Sequence, residues 1–264
     1  MSKSIGFIGC GNMGGAILGG ISKKGIFGEI YVYDKNTDKA REMADKYGAE
    51  AVTLELAAGC DVVLLAVKPN VLYSVIDEIK PFVKENAAVI SIAAGQSMSK
   101  IEAAFDREIK LARVMPNTPA LVGEGMSAIS VNGALFDDAP MTATVIGIFG
   151  AVGKAELVPE SLMDAVTGVS GSSPAYAFMF IEALADAAVG HGIPKEKSFT
   201  FAAQSVLGAA KMVLETGIHP KQLKENVCSP GGTTIEAVKV LEEMGMQDII
   251  KKAVDACVKK SRSM

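Results

Sequence analysis

The chain has 264 residues, a net charge of -4 and 49% hydrophobic residues, enough to build one large or two modest domains around a sizeable core. The acidic balance and the lack of a basic run argue against a nucleic-acid surface, and no apolar stretch is long enough to span a bilayer. Four scattered cysteines (Cys10, Cys60, Cys228, Cys257) fit reduced thiols better than disulfides or a metal site. A cytoplasmic protein without bound metal is expected.

The start, M-S-K-S-I-G-F-I, enters a strand pattern at once and leaves no room for a signal peptide. Ser4 to Ile8 reads as a buried strand. Gly9-Cys10-Gly11-Asn12-Met13-Gly14 follows and opens a helical pattern at Ala16, Ile17 and Ile21. Ile30 to Tyr33 reads as a second strand, ending at Asp34, about twenty residues after the last glycine. G-x-G-x-x-G alone is weak evidence. Between a strand and a helix, with an acid at that distance, it predicts a dinucleotide site. Gly9 permits the tight turn, Gly11 lets a pyrophosphate approach the backbone, and Gly14 lets the helix pack on the strand.

The alternation continues as a doubly wound sheet requires. Helices are expected over Thr37 to Tyr47, Asn70 to Ile79, Met98 to Phe105 and Ala139 to Phe149. Strands are expected over Asp61 to Val67, Ala88 to Ile92, Ile109 to Val114, Met126 to Val131 and Ala155 to Val158. Ligands of such sheets sit outside the carboxyl ends of strands. That rule selects Ala66-Val67-Lys68-Pro69, Ala93-Ala94-Gly95 and Asn117 as further cofactor contacts.

After Pro159 the strand patterns stop. Ala175 to Val189 and Phe199 to Leu214 are apolar almost all round, more than a domain of that size buries alone, so a homodimer is expected. The last helix carries one apolar stripe from Met246 to Val258 and a charged outer face. His191 and His219 read as surface or capping residues. The boundaries are therefore a dinucleotide-binding Rossmann domain over 1–159 and an all-α dimerisation and substrate domain over 160–264.

Asn226 to Leu241 carries the second chemical signal. Ser229 reads as an N-cap, Pro230 as the first helical residue, and Gly231 and Gly232 as bare backbone that a ligand can approach. Thr233 and Thr234 add hydroxyls beside the free N–H groups. Such a helix start is either an entry turn and nothing more, or an anion site. The helix after S-G-S-S-P-A-Y has no lysine on its body, whereas reductases of β-hydroxy acids use one there to protonate a carbonyl. An acceptor that needs little acid help, a C=N bond, fits that absence.

V-C-S-P-G-G-T-T-I-E-A-V-K-V-L-E resembles the signature of the pyrroline-5-carboxylate reductase family. G-F-I-G-C-G-N-M-G, A-V-K-P, V-M-P-N-T-P and V-S-G-S-S-P-A-Y-A-F extend the resemblance along the whole chain. One departure is Ser173, where members often carry glycine. The resemblance implies reduction of 1-pyrroline-5-carboxylate to L-proline by NADPH or NADH, the last step of proline synthesis. It also implies a helical dimerisation domain, homodimers or larger assemblies of dimers, and no membrane or nucleic-acid partner. The substrate carboxylate would lie on Ser229, Gly231, Gly232, Thr233 and Thr234, with the Thr234 hydroxyl near the ring nitrogen as the catalytic group. NADP is the expected cofactor and NAD the alternative. Asp34 would repel a 2′-phosphate, while Lys35, Asn36 and Lys39 would hold one if Asp34 turned away. Other readings left open are a reductase of another cyclic imine or of a β-hydroxy acid, and a dinucleotide sensor without turnover.

Overall fold

The computed structural model describes residues 3–263; residues 1, 2 and 264, the outermost of the expected domains, lie outside the described residues. The chain separates into two compact units, Met1–Ser172 with Cys257–Met264, and Ser173–Ala256.

The first unit is built on an eight-stranded sheet in the order β3-β2-β1-β4-β5-β6-β7-β8. The strands are β1 Ser4–Ile8, β2 Glu29–Tyr33, β3 Glu50–Ala51, β4 Val62–Leu65, β5 Ala88–Ser91, β6 Lys110–Met115, β7 Gly125–Val131 and β8 Gly153–Leu157. Strands β1 to β6 pair in parallel, β7 runs antiparallel to β6, and β8 is parallel to β7. Strands β1, β4 and β5 are buried at every position, which is why their sequences are apolar apart from the terminal Ser4 and Ser91. The crossovers carry α1 Asn12–Lys24, α2 Thr37–Tyr47, α3 Leu54–Ala58, α4 Leu72–Ile79, α5 Met98–Phe105, α6 Gly133–Phe136 and α7 Ala139–Gly150. Ile17, Ile21, Val145 and Phe149 fill one face of the sheet; Leu72, Ile76, Ile101 and Phe105 fill the other.

The strand order reverses between β1 and β4, so the loop after β1 opens at the topological switch point where such folds bind nucleotides. Three elements of the first unit escape the sequence reading, β3, α3 and the four-residue α6. A two-residue strand with both residues exposed has no periodicity to detect.

A short helix α8 Met163–Val166 and a π-helical stretch Thr167–Gly171 close the first unit. The second unit is entirely helical: α9 Ser173–Gly190, α10 Lys195–Thr216, α11 Pro220–Val227, α12 Thr233–Glu243 and most of α13 Met246–Arg262. In this unit α9 and α10 are not buried all round. Phe178, Met179, Phe201, Leu207 and Leu214 are all exposed in the single chain, while Ala185 and Ala202 are buried. Among the described residues, no helix is long and apolar enough to cross a membrane.

Candidate functional site

The loop after β1 is shaped by its glycines. Gly9 has φ +102°, a conformation that L side chains rarely adopt. A Cβ at Gly14 would meet the Gly9 carbonyl oxygen at 2.8 Å and the Ala66 Cβ at 3.1 Å, so this glycine sets the packing of α1 on β1. At Gly11 the nearest atom to such a Cβ is the Ala66 carbonyl oxygen at 4.0 Å. The space above Gly11 is open. Gly11 is also the N-cap of α1, so it offers no side-chain cap, and the first turn carries no acid. Asn12 and Met13 leave their backbone N–H groups at that end. An uncapped helix start beside open space suits a pyrophosphate, and by this observation the residues present fit a dinucleotide.

Asp34, at the end of β2, is half-buried and fixed by the backbone. Its Oδ2 accepts from the Cys10 N–H at 2.7 Å and its Oδ1 from the Asn36 N–H at 2.9 Å. Burial first, and then the Asp34 charge, push the Cys10 thiol up to about 12. Cys10 is therefore a neutral packing residue. Asn36 is the N-cap of α2, its side chain accepting from the Lys39 N–H at 3.2 Å. Lys35 is exposed.

Asp34 borders two cavities. One, of about 230 Å³, is lined by Gly9, Lys35, Val67, Val71 and Glu78 among others. The other, of about 750 Å³, is lined by Tyr33, Thr37, Arg41, Glu50 and Thr53 among others. The structure thus brings Gly9, Asp34, Lys35 and Val67 together as the sequence suggests. It adds Arg41, Glu50, Glu55 and Glu78, which no single motif contains because they come from α2, the β3–α3 segment and α4. The signal lay in the fold order, since the β3 edge stands next to β2.

The other strand ends play more than one part. The Ala66 carbonyl borders Gly9 and Gly11, and Lys68-Pro69 starts a 3-10 turn. Ala93 and Ala94 follow β5, and Gly95 takes φ +73°. Asn117, expected as a cofactor contact, has its amide turned inward. Its Oδ1 accepts from the Met126 N–H at 2.8 Å, and its Nδ2 donates to the Ser170 carbonyl at 3.0 Å. Its side chain ties β7 and the π-helical stretch to the end of β6.

In the second unit the expected N-cap is corrected. Helix α12 starts at Thr233 with Gly232 as N-cap, three residues beyond Ser229. Ser229-Pro230-Gly231-Gly232 is a turn closed by the Gly232 N–H on the Ser229 carbonyl at 3.0 Å. Gly231 has φ +70°, the third position of a Pro-Gly turn, which a helix cannot contain. The helix start still lacks a side-chain cap. The hydroxyls of Ser229, Thr233 and Thr234 have no hydrogen bond among the described residues. A Cβ at Gly232 would lie 2.8 Å from the Ser229 Oγ, so glycine is needed for this approach. Glu236, in the first turn, is engaged by Lys239 at 2.8 Å. His219 caps α11 by accepting from the Lys221 N–H at 3.2 Å, and His191 is exposed.

Comparison with known proteins decides between the readings. The chain is 48% identical to the pyrroline-5-carboxylate reductase of Escherichia coli K12, over 100% of this chain and 99% of that protein. The chain belongs to the pyrroline-5-carboxylate reductase family. As a member it is an NAD(P)-dependent oxidoreductase. The family described as pyrroline-5-carboxylate reductase dimerisation matches residues 160–264, and that described as NADP oxidoreductase, coenzyme F420-dependent, matches residues 4–95. The solved pyrroline-5-carboxylate reductase of Coxiella burnetii superposes with a TM-score of 0.93 at 35% identity, covering 100% of this chain and 98% of that one. The Plasmodium falciparum pyrroline carboxylate reductase, solved with NADP bound, gives 0.86 at 33% identity, covering 99% and 97%.

Proposed function

We propose that this chain's reaction, reduction of 1-pyrroline-5-carboxylate to L-proline by NAD(P)H, runs on two backbone anion cradles. The first is the loop Gly9 to Gly14 with the start of α1, for the dinucleotide pyrophosphate. Asp34, Lys35 and Asn36 serve the ribose end, with Ala66 to Pro69 and Ala93 to Gly95 along the strand ends. Asn117 acts there by position, holding the end of β6. The second is Ser229 and Gly231 to Thr234 at the start of α12, for the substrate carboxylate. Residues 1–159 carry the first task; residues 160–264 carry the second, together with dimerisation.

The observation that carries this reading is the uncapped start of α12 beside three unbonded hydroxyls. Unpaired N–H groups and the helix dipole favour a carboxylate there without any charged residue. The cofactor, when bound, supplies the hydride. The acceptor is the C=N carbon. An iminium arrives with its nitrogen already protonated, so addition of hydride yields the amine directly, and the amine later takes a proton from water. Thr234 holds the N–H of the ring and orients the C=N face. Fixed orientation and fixed dipoles lower the barrier in place of a strong acid.

The chain works as a homo-oligomer, and we propose the homodimer as its unit, with α9 and α10 covered by a second copy. Four free thiols support a reducing compartment, the cytoplasm.

The test measures NAD(P)H consumption with 1-pyrroline-5-carboxylate and identifies the product, for the native chain and Thr234→Ala. Proline is expected, with kcat lowered at least about tenfold in the variant. Dinucleotide affinity should be unchanged, and Thr234→Ser should recover much of the rate. Consumption without proline overturns the substrate; an unchanged kcat in Thr234→Ala overturns the role of that hydroxyl.

A further inference from the structure

We infer that the ribose end of the dinucleotide site favours the unphosphorylated cofactor, so that NADPH is accepted but NADH is preferred, and that Asp34 with its acidic surround sets this choice. The inference rests on the dinucleotide reading of the first unit.

The first argument is rigidity. Both Asp34 oxygens accept from backbone N–H groups, one of them the buried Cys10 in the phosphate loop. Turning the carboxylate away to admit a 2′-phosphate would break both bonds and leave a buried N–H unpaired. The turn that the sequence leaves open is therefore disfavoured. The carboxylate stands where an acid of this fold accepts from the ribose hydroxyls.

The second argument is the absence of a cradle for a second anion. Helix α1 starts uncapped, but α2, which starts beside Asp34, is already capped by the Asn36 side chain. Its first turn also carries Asp38. A 2′-phosphate would meet a closed helix start and two carboxylates there.

The third argument is the charge of the walls. Glu50, Glu55 and Glu78 line the larger cavity along with Asp34. Against them stand Arg41, which lies 3.7 Å from Asp38, and Lys35 on the smaller cavity. Lys39 lines a neighbouring cavity with Cys10, Gly11, Asn12 and Glu42, and is the cation on the phosphate-loop side that opposes the preference. The exposed glutamates act through screened fields, so the half-buried, fixed Asp34 carries most of the effect.

The test is calorimetric titration of the intact oligomer with NAD+ and with NADP+ at fixed salt, without substrate. NAD+ should bind about tenfold tighter or better, the ratio of kcat/KM values for NADH and NADPH following it. In Asp34→Asn, which keeps the shape and removes the charge, and in Glu78→Gln, which bonds no part of the loop, the ratio should move toward NADP+. The shift should be several-fold for the first and smaller for the second. Equal or tighter binding of NADP+ by the native chain overturns the preference while leaving the dinucleotide site standing. An unmoved ratio in both variants overturns the assignment to these carboxylates. Binding of neither dinucleotide overturns the site reading and this inference together.

Discussion

The two units bury their apolar residues in opposite ways. The first covers both faces of its sheet with its own helices, and Ile5, Val63, Leu64 and Ile90 are fully buried. The second leaves Phe178 (62%), Met179 (69%) and Phe201 (60%) exposed on helices whose few charges, such as the Lys211–Glu215 pair, lie elsewhere along them. Exposed apolar side chains gathered in this way are the usual mark of an interaction surface. The first unit thus closes its own core, and the second leaves apolar faces for which we have proposed a second copy as the cover.

The largest expected effect breaks that contrast. Phe178→Glu together with Phe201→Glu should yield monomers by sedimentation, with at least about a hundredfold loss of turnover, because charges cannot be buried in an apolar interface. Dinucleotide binding by the first unit should survive within about threefold. A dimer of unchanged activity would show that these faces are not the interface.

Two glycines in the first unit sharpen the contrast between fold and ligand. At Gly6 on β1, a Cβ would lie 1.8 Å from the Ala57 carbonyl oxygen, because α3 crosses the strand at backbone contact. Gly6→Ala should cost about 3 kcal/mol in urea unfolding, since backbone on both sides must move. At Gly11 a Cβ has room in the protein, and φ -71° with ψ 176° suits alanine. Gly11→Ala should leave stability within about 0.5 kcal/mol and weaken dinucleotide binding about tenfold by calorimetry. One substitution strikes the fold and the other the ligand. Equal effects on stability would refute the distinction.

These glycines also show what was legible in the chain. The tight turn at Gly9 and the close packing at Gly14 could be read from spacing, because strand, turn and helix follow one another without a gap. Gly6 could not, since the element that presses on it, α3, follows a two-residue strand with no period. The α12 loop was legible as a place but not as a geometry. Pro230 next to Gly231 specifies a turn with positive φ, and the helix must wait for Thr233, yet a Ser-Pro pair alone looks like a cap and a first helical residue. Glu50 and Glu55, from the β3–α3 segment, and Glu78, from α4, line the larger cavity beside Asp34, and no linear motif contains all three. The inward turn of the Asn117 amide depends on Met126 and Ser170, residues that adjoin it only in the folded sheet.

The smallest effect concerns how the first unit answers pH. Asp61 precedes β4 and accepts from Lys84 Nζ at 2.8 Å, from the Ser4 N–H at 2.9 Å and from the Ser4 hydroxyl at 3.1 Å. The Lys84 hydrogen bond first, and the Ser4 N–H next, hold its carboxyl below the usual carboxylate range. A carboxyl depressed in the folded chain contributes stability that is present above its unfolded value, near 4, and is lost as pH falls through the folded value. Asp61→Asn should therefore lower stability by about 1 kcal/mol at neutral pH, chiefly through the bonds at Ser4, since the Lys84 pair is exposed and screened. The gap between native and variant should close as pH falls below about 4, where the native carboxyl takes its proton. Urea unfolding at neutral pH and near pH 3 reads both. A gap that persists at the acid end would mean that the loss came from packing around β1, not from the charge.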